Sequence, residues 1–322
     1  MRLPFALRRS LSITALAGLA LGMALNAQAD SDLRIGYQKS STLLAVLKAQ
    51  GTLEKQLAAQ GVNVTWHEFT SGLPLAESLN VGNVDISADV ADTVPVFAQA
   101  AGANLTYFAS ETPSPAAQSI VVPKDSTLKT LAELKGKRIA VTKAAGSHYL
   151  LIAALRSVGL TFADIQPVYL TPADGRAALE THKVDAWVTW EPFVASAERQ
   201  QGARVLHDGQ GLASYRRYYL ASNDYAKAHP EVLNQVFAEL QKTGTWVKAH
   251  PADAAKLLGP LWGNLDAPTV ELANSRRTYK VEVVKPDALG EQQKIADAFY
   301  QEKLLPKPVD ARAVQLWSPK AL

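Results

Sequence analysis

Apolar residues recur along this chain with two periods, and the two periods take turns. From Val62 to Phe69 the order Val-Asn-Val-Thr-Trp-His-Glu-Phe alternates apolar and polar residues, as a half-buried strand does. Leu43, Leu44, Val46 and Leu47 have helical spacing instead, and so does the stretch through Leu75, Leu79 and Val81. Leu33-Arg34-Ile35-Gly36-Tyr37 predicts a first strand, residues 85–88 a short one, and 105–109 another, with the apolar helix 94–101 between the last two. Strand, turn and helix in succession predict parallel sheets covered by helices, an α/β fold.

Thr112-Pro113-Ser114-Pro115 interrupts the pattern, and the rhythm then restarts. Strands are predicted at 119–122, 138–142, 168–170, 184–189 and 203–206, with helices at 128–134 and 148–158. Another helix opens at Thr171-Pro172-Ala173-Asp174, where Thr is the cap, Pro takes the first position and an acid lies three residues after the cap. Tyr218-Tyr219-Leu220-Ala221 reads as the chain crossing back, and beyond Asn223 the pattern is mostly helical, with Pro230 and Pro251 at helix starts. The expected organisation is two lobes: residues 30–114 and 217–322 form the first, and 115–216 form the second, inserted into it. The crossings are expected near 111–118 and 212–218, and a double crossing makes a hinge.

The first 29 residues stand outside this pattern. Arg2, Arg8 and Arg9 carry the start, an apolar run follows to Leu25, and Ala27-Gln28-Ala29 supplies a small-x-small exit. That sequence predicts a secretory leader cleaved after Ala29, because the apolar run is short of the ~20 residues of a spanning helix. Three of the 33 basic residues lie in the leader, which leaves thirty against the 30 acidic ones. No basic run then suggests nucleic acid or an anionic membrane surface. The chain has no cysteine, so an exported protein of this kind must be held by burial alone, and thiolate chemistry and a lipidated N-terminal cysteine are excluded. The expectation is a soluble periplasmic monomer, without cofactor or metal.

Candidate chemistry lies in the strand-to-helix turns. Ser40-Ser41-Thr42, Thr70-Ser71-Gly72, Asp92-Thr93 and Gly146-Ser147 all occupy such turns. In open parallel sheets these gather beyond the carboxyl ends of the strands, where backbone N–H groups and helix dipoles favour an anion. One such turn is ordinary helix capping. Several facing one mouth suggest an anion site. Gln38 and Lys39 stand at the mouth of the first lobe, though an exposed Lys is more often simply solvated. Trp190 could wall an organic group or pack between lobes, and Glu191 could accept from an amine or organise Arg and Lys. Asp89 and Asp92 are expected to divide between the cleft mouth and capping of the next helix. His148 could orient an anion or lie on the surface, and Tyr215, Arg216 and Arg217 could screen one or only straighten a hinge strand. Arg276 and Arg277 read as a solvated helix face.

The signs of catalysis are weak. No two of the six histidines have the spacing of a helical metal pair, and there is no Gly-x-Ser-x-Gly elbow or P-loop.

Many ordered segments resemble the periplasmic aliphatic-sulfonate-binding proteins of the nitrate/sulfonate/taurine import family. They include Ile35-Gly36-Tyr37-Gln38-Lys39, Leu79-Asn80-Val81-Gly82-Asn83-Val84-Asp85, Leu134-Lys135-Gly136-Lys137-Arg138, Gly146-Ser147-His148 and Val184-Asp185-Ala186-Trp187. Trp190-Glu191-Pro192-Phe193 is similar to the family's Trp-Asp/Glu-Pro-aromatic turn. The resemblance implies a two-lobed type II periplasmic binding fold, no catalysis, an organosulfur anion as ligand, and delivery to an ABC permease driven by a cytoplasmic ATPase. It leaves a sulfate ester, taurine or nitrate open as ligand, and more distantly a pyrimidine-precursor enzyme of the same architecture. Residues 87–95 depart from the family's Gly-Asp-x-Pro-Pro loop, which is expected to face the ligand. The candidate ligand-binding set is Gln38, Lys39, Ser40, Ser41, Thr42, Gly72, Asp89, Gly146, Ser147, His148, Trp190, Glu191 and Tyr215.

Overall fold

The computed structural model describes residues 31–319; the predicted leader lies outside them. Strand β1 (Ser31–Gln38) buries Leu33 and Ile35 and leads through the four residues Lys39, Ser40, Ser41 and Thr42 into α1 (Leu43–Gln50). Gly51, left-handed at φ 59°, ends that helix by donating its N–H to the Leu47 and Lys48 carbonyls, a conformation glycine adopts without steric cost. After α2 (Thr52–Ala58) comes β2 (Val62–Phe69), then α3 (Gly72–Asn80), the two-residue strands β3 (Ile86–Ser87) and β4 (Val90–Ala91), α4 (Thr93–Ala100) and β5 (Leu105–Glu111).

The chain then builds a second sheet from β6 (Gln118–Val122), β7 (Arg138–Val141), β8 (Gln166–Tyr169), β9 (Ala186–Trp190) and β10 (Arg204–Asp208). Helices α5 (Gly146–Ser157), α6 (Pro172–Glu180) and α7 (Phe193–Gln201) follow β7, β8 and β9. The predicted helix at 128–134 is only a 3₁₀ turn, Leu131–Leu134, closed by a Thr130/Glu133 capping box. Strand β11 (Arg217–Ser222) returns the chain to the first sheet. It is followed by α8 (Asn223–Ala228), α9 (Pro230–Ala249), α10 (Pro251–Leu261), α11 (Ala267–Ser275), β12 (Val281–Glu282), α12 (Leu289–Gln301) and β13 (Gln315–Leu316). Pro230 and Pro251 stand in the first turns of α9 and α10, where the missing N–H costs nothing.

The first sheet runs β12-β5-β11-β3-β1-β2, with β13 beside β5 and β4 beside β11; the second runs β10-β6-β9-β7-β8. Both are mixed rather than purely parallel. β1 is parallel to β2 and β3, and β7 to β8 and β9, whereas β11 is antiparallel to β3 and β5, and β6 to β9 and β10. Three strands break the parallel order: β6 and β11, each the first strand after the chain crosses between sheets, and the two-residue β12, antiparallel to β5 at the sheet edge.

Leu33, Ile35, Leu44, Val236 and Leu240 belong to the core of the first sheet, and Ile120, Val141, Leu151 and Val188 to that of the second. A third cluster joins the two bodies, since α12 packs Ile295 and Phe299 with Val96 of α4 and Ile152 of α5. Among the described residues no helix is long and apolar enough to cross a membrane.

Candidate functional site

The turn after β1 is locked by its own residues. Ser41 donates its backbone N–H to the Gln38 carbonyl at 2.8 Å, and Gln38 N–H donates to Ser41 Oγ at 3.1 Å. Gln38 Nε2 reaches across to the Asp89 carbonyl at 2.9 Å. Gln38, Ser40, Ser41 and Thr42 are buried, while Lys39 between them is exposed. Thr42 does not cap α1. Its hydroxyl lies 3.1 Å from the Tyr279 hydroxyl and accepts from Arg277 Nη1 at 3.2 Å.

Helices α1, α3, α4 and α5 all begin without a side-chain cap, whereas Thr171, Ser222 and Asp266 cap α6, α8 and α11. Asp92 was one of the acids expected to cap a helix; its Oδ2 accepts instead from the Arg216 backbone N–H at 3.1 Å. Burial pushes its carboxyl up to about 7. An uncapped start alone marks nothing, because α2, α9, α10 and α12 share it. What singles out α1 and α5 is the set of buried polar groups between them.

There the two sheets touch. Trp190, at the end of β9, donates Nε1–H to Ser40 Oγ at 3.2 Å. Thr93 Oγ1 donates to the Ala144 carbonyl at 2.5 Å. Gly146 opens α5 hard against Tyr215: a Cβ built on it would stand 2.5 Å from Tyr215 Cε2 and 3.1 Å from Ala91 Cβ. The next residue, Ser147, is fully buried and its hydroxyl has no hydrogen-bond partner. Gln118, in register with Trp190 across the antiparallel pair and so on the same face of the sheet, is buried with neither amide atom partnered. An unpaired buried polar group costs about 1–3 kcal/mol, so each of these two residues calls for a ligand or water.

Beside this set lies a buried charge network that sequence reasoning missed. Arg217 donates Nη2 to Asp89 Oδ2 at 2.7 Å and Nη1 to the Tyr215 hydroxyl at 2.5 Å. Arg277 meets Asp89 Oδ2 at 3.0 Å and Glu111 Oε2 at 2.7 Å, and Tyr219 donates its hydroxyl to Glu111 Oε1 at 2.8 Å. Burial opposes the charge on Arg277, but Glu111 prevails and holds its pKa well above the ordinary arginine value. Two guanidinium groups and two carboxylates cancel formally. The helix face assigned to solvent is therefore no such thing: Arg277 is 3% exposed, and Arg276 donates to Glu191 Oε1 at 2.6 Å and Glu198 Oε2 at 2.7 Å.

Of the candidate residues, Ser40, Gly146, Ser147, Trp190 and Tyr215 meet where the sheets touch, with Gln38, Ser41 and Thr42 in the adjoining turn. The others have different engagements. Asp89 Oδ2 is taken by the two arginines. Glu191 Oε2 accepts the Ala195 N–H at 3.0 Å, acting at the start of α7, and burial pushes its carboxyl up to about 7 although Arg276 pulls it down. His148 accepts the Ala144 N–H at Nδ1 (3.2 Å) and packs against Phe162, Tyr169 and Phe299. It is neither on the surface nor turned to the Ser40–Trp190 contact. Burial, helped by the charge of Lys143, lowers its pKa to about 3. Gly72 makes room for packing, since a Cβ there would stand 2.7 Å from Val94 Cγ2. Gln118 could have been found as the polar member of the buried face Gln118, Ile120, Val122.

The family profile described as NMT1/THI5 like matches residues 57–254. The periplasmic aliphatic sulphonate binding protein of Escherichia coli superposes with a TM-score of 0.81 at 40% identity, covering 89% of this chain and 97% of that one. The alkanesulfonate-binding protein of Xanthomonas axonopodis pv. citri, in a structure bound to MOPS, gives 0.82 at 38% identity over 88% of this chain and 98% of that one. The taurine-binding periplasmic protein of Escherichia coli is 30% identical over 258 residues, 76% of this chain and 77% of the other.

Proposed function

This chain belongs to the NMT1/THI5-like family, and on that footing we propose that it is the periplasmic solute-binding component of an ABC importer, capturing an organosulfonate between two lobes. The observation that carries the reading is the buried Ser147 hydroxyl and Gln118 amide, unpartnered beside the Ser40–Trp190 bridge and the uncapped starts of α1 and α5.

These groups are neutral donors. The nearby arginines Arg217 and Arg277 are matched in charge by Asp89 and Glu111, though each keeps one buried Nε–H without a partner. The anion is therefore held mainly by hydroxyl, amide and backbone N–H groups, the Trp190 indole joining them if it leaves Ser40. Each helix terminus contributes about 0.3–1 kcal/mol when exposed and more where water is excluded. A sulfonate suits such a site because it stays charged and accepts several hydrogen bonds at once. Ser40, Ser41, Ser147, Gln118 and Trp190 are the residues we assign to the head group.

In this reading residues 30–114 with 217–322 form one lobe and 115–216 the other, hinged at the two crossings. The ligand favours closure only through the additional contacts it makes in the closed state. Residues 1–29 act as the export leader, and the soluble protein hands its cargo to a permease without transforming it. The chain lacks cysteine, and among the described residues no cluster of three or more His, Asp or Glu could hold a metal.

The test is thermal unfolding of the protein, refolded from denaturant to strip carried-over ligand, against alkanesulfonates, taurine, aromatic sulfonates, sulfate esters, sulfate and nitrate. A ligand at 100 times its Kd stabilises by about 2.7 kcal/mol. Stabilisation by organosulfonates but not nitrate, abolished by combining Ser41→Ala with Ser147→Ala, is the expected outcome. A response to nitrate alone, or binding unaffected by the double substitution, would overturn the ligand class or the siting respectively.

A further inference from the structure

A second recess lies between the same two sheets, to one side of the head-group residues. It is a cleft of about 280 Å³ whose wall on the first body is Ser71, Leu73 and Pro74, and whose wall on the second includes Lys143, Tyr169 and Pro172. The topology fixes its position. Ser71 precedes α3 after β2, the edge strand next to β1. Tyr169 ends β8, the edge strand next to β7. The head-group turns belong to the inner strands β1, β7 and β9, so the recess stands one strand further out on both sheets, at the same strand ends, with a lining that shares none of the head-group residues. Lys143 lies four residues before Ser147, and a chain spans at most ~3.6 Å per residue, so their Cα atoms are within about 14 Å.

The recess on its second wall is built rather than loose. Thr142 Oγ1 donates to the Leu170 carbonyl at 2.8 Å, tying the turn after β7 to the turn after β8. Tyr169 is 44% exposed, one of the few large apolar side chains so displayed, yet its ring is held edge-on to the buried His148 at 5.6 Å between centroids. An exposed aromatic ring fixed on one side offers its other surface for stacking at little entropic cost. The volume is several times the roughly 30 Å³ that a water occupies in the liquid, and close to the lower end of about 300 Å³ for ligand pockets. A methyl or ethyl tail would leave it mostly filled with water.

We propose that this recess receives the organic end of the ligand and selects organosulfonates bearing a ring, with Tyr169 as the specificity-determining contact. The inference rests on the organosulfonate reading of the head-group site. A ring leaving the Ser147 region would pass between Leu73 and Pro74 on one side and Tyr169 and Pro172 on the other. Lys143 at the rim meets any acceptor or negative charge at the far end of the ring.

Calorimetric titration of ethanesulfonate and benzenesulfonate into wild type, Tyr169→Ala and Tyr169→Phe tests it. Wild type is expected to bind benzenesulfonate at least tenfold more tightly than ethanesulfonate. Tyr169→Ala should erase most of that ratio while moving the ethanesulfonate Kd less than twofold, and Tyr169→Phe should keep it. A wild type with no preference for the ring, a ratio unchanged in Tyr169→Ala, or an equal loss for both ligands would each overturn the tail assignment alone. A wild type that binds neither sulfonate would overturn the head-group reading and this one with it.

Discussion

His148 shows how far one side chain's chemistry depends on where its ring points. Enclosed by Phe162, Tyr169 and Phe299, it is neutral in the folded protein, with a pKa near 3, against about 6.5 in an unfolded chain. The unfolded state therefore binds the extra proton below pH 6.5, and the histidine's contribution to stability is lost as pH falls through that value. At pH 5 the loss amounts to about 2 kcal/mol. Asp92 and Glu191, both raised to about 7, act in the opposite direction, so the observable is a difference. Urea unfolding of wild type and His148→Gln at pH 7.5 and pH 5 should show wild type losing about 2 kcal/mol relative to the variant at the lower pH. A pH-independent difference would mean that the ring is charged where it stands. At this scale the sequence was only partly legible. Ser40, Ser147 and Trp190 could be placed at or just beyond the ends of β1, β7 and β9 because turn position follows from strand and helix patterns. The fate of Arg277 could not, because its carboxylate partners, Glu111 and Asp89, lie 166 and 188 residues away. A local window containing two arginines on a helix end looks the same whether they meet solvent or a buried acid.

Elements show a similar division. Period-2 and helical spacings predict β2, α1, α3 and α9 because each packs its apolar positions against neighbouring elements. The two-residue strands β3, β4, β12 and β13 carry no period and exist only through their partners. The antiparallel entry of β6 and β11 also escaped the pattern, since strand direction is a property of the pair. Helix α5 joins this scale to function. Its first residue, Gly146, has no conformational need for glycine, and alanine would raise helix propensity by up to about 1 kcal/mol in a helix interior. Its reason is contact: the Tyr215 ring occupies the space of a Cβ, and Tyr215 is itself pinned by Arg217. If the contact forms on closure, Gly146→Ala should leave the melting temperature of the stripped protein within a few degrees of wild type and weaken sulfonate binding at least tenfold. Equal damage to ligand-free stability and binding would place the contact in the open state too.

Across the whole molecule, the two bodies are joined by more than the crossing strands. Helix α12 packs against α4 and α5, and Arg276, just beyond α11, reaches Glu191 and Glu198 on the other body. This last contact is unequal. Glu191 is 3% exposed, whereas the Arg276 side chain is 21% exposed, so the carboxylate depends on the arginine more than the reverse. Replacing Arg276 by Gln leaves Glu191 buried without its cation, and its pKa must rise beyond the value near 7 that it has with the arginine present. Above pH 8 the variant carries the cost of a buried carboxylate without its cation, held only by the Ala195 N–H, about 1–3 kcal/mol given the partial exposure of the arginine. As pH falls toward 7 the variant's Glu191 takes up a proton before the wild type's does. The deficit then shrinks, leaving only the lost neutral hydrogen bond. Unfolding at pH 9 and pH 6.5 should show that narrowing. Adding Glu191→Gln to the variant should remove it, because no titrating group is left at the contact. A deficit equal at both pH values would assign Arg276 to packing of α11 on α7, and the charge would then play no part in holding the two bodies together.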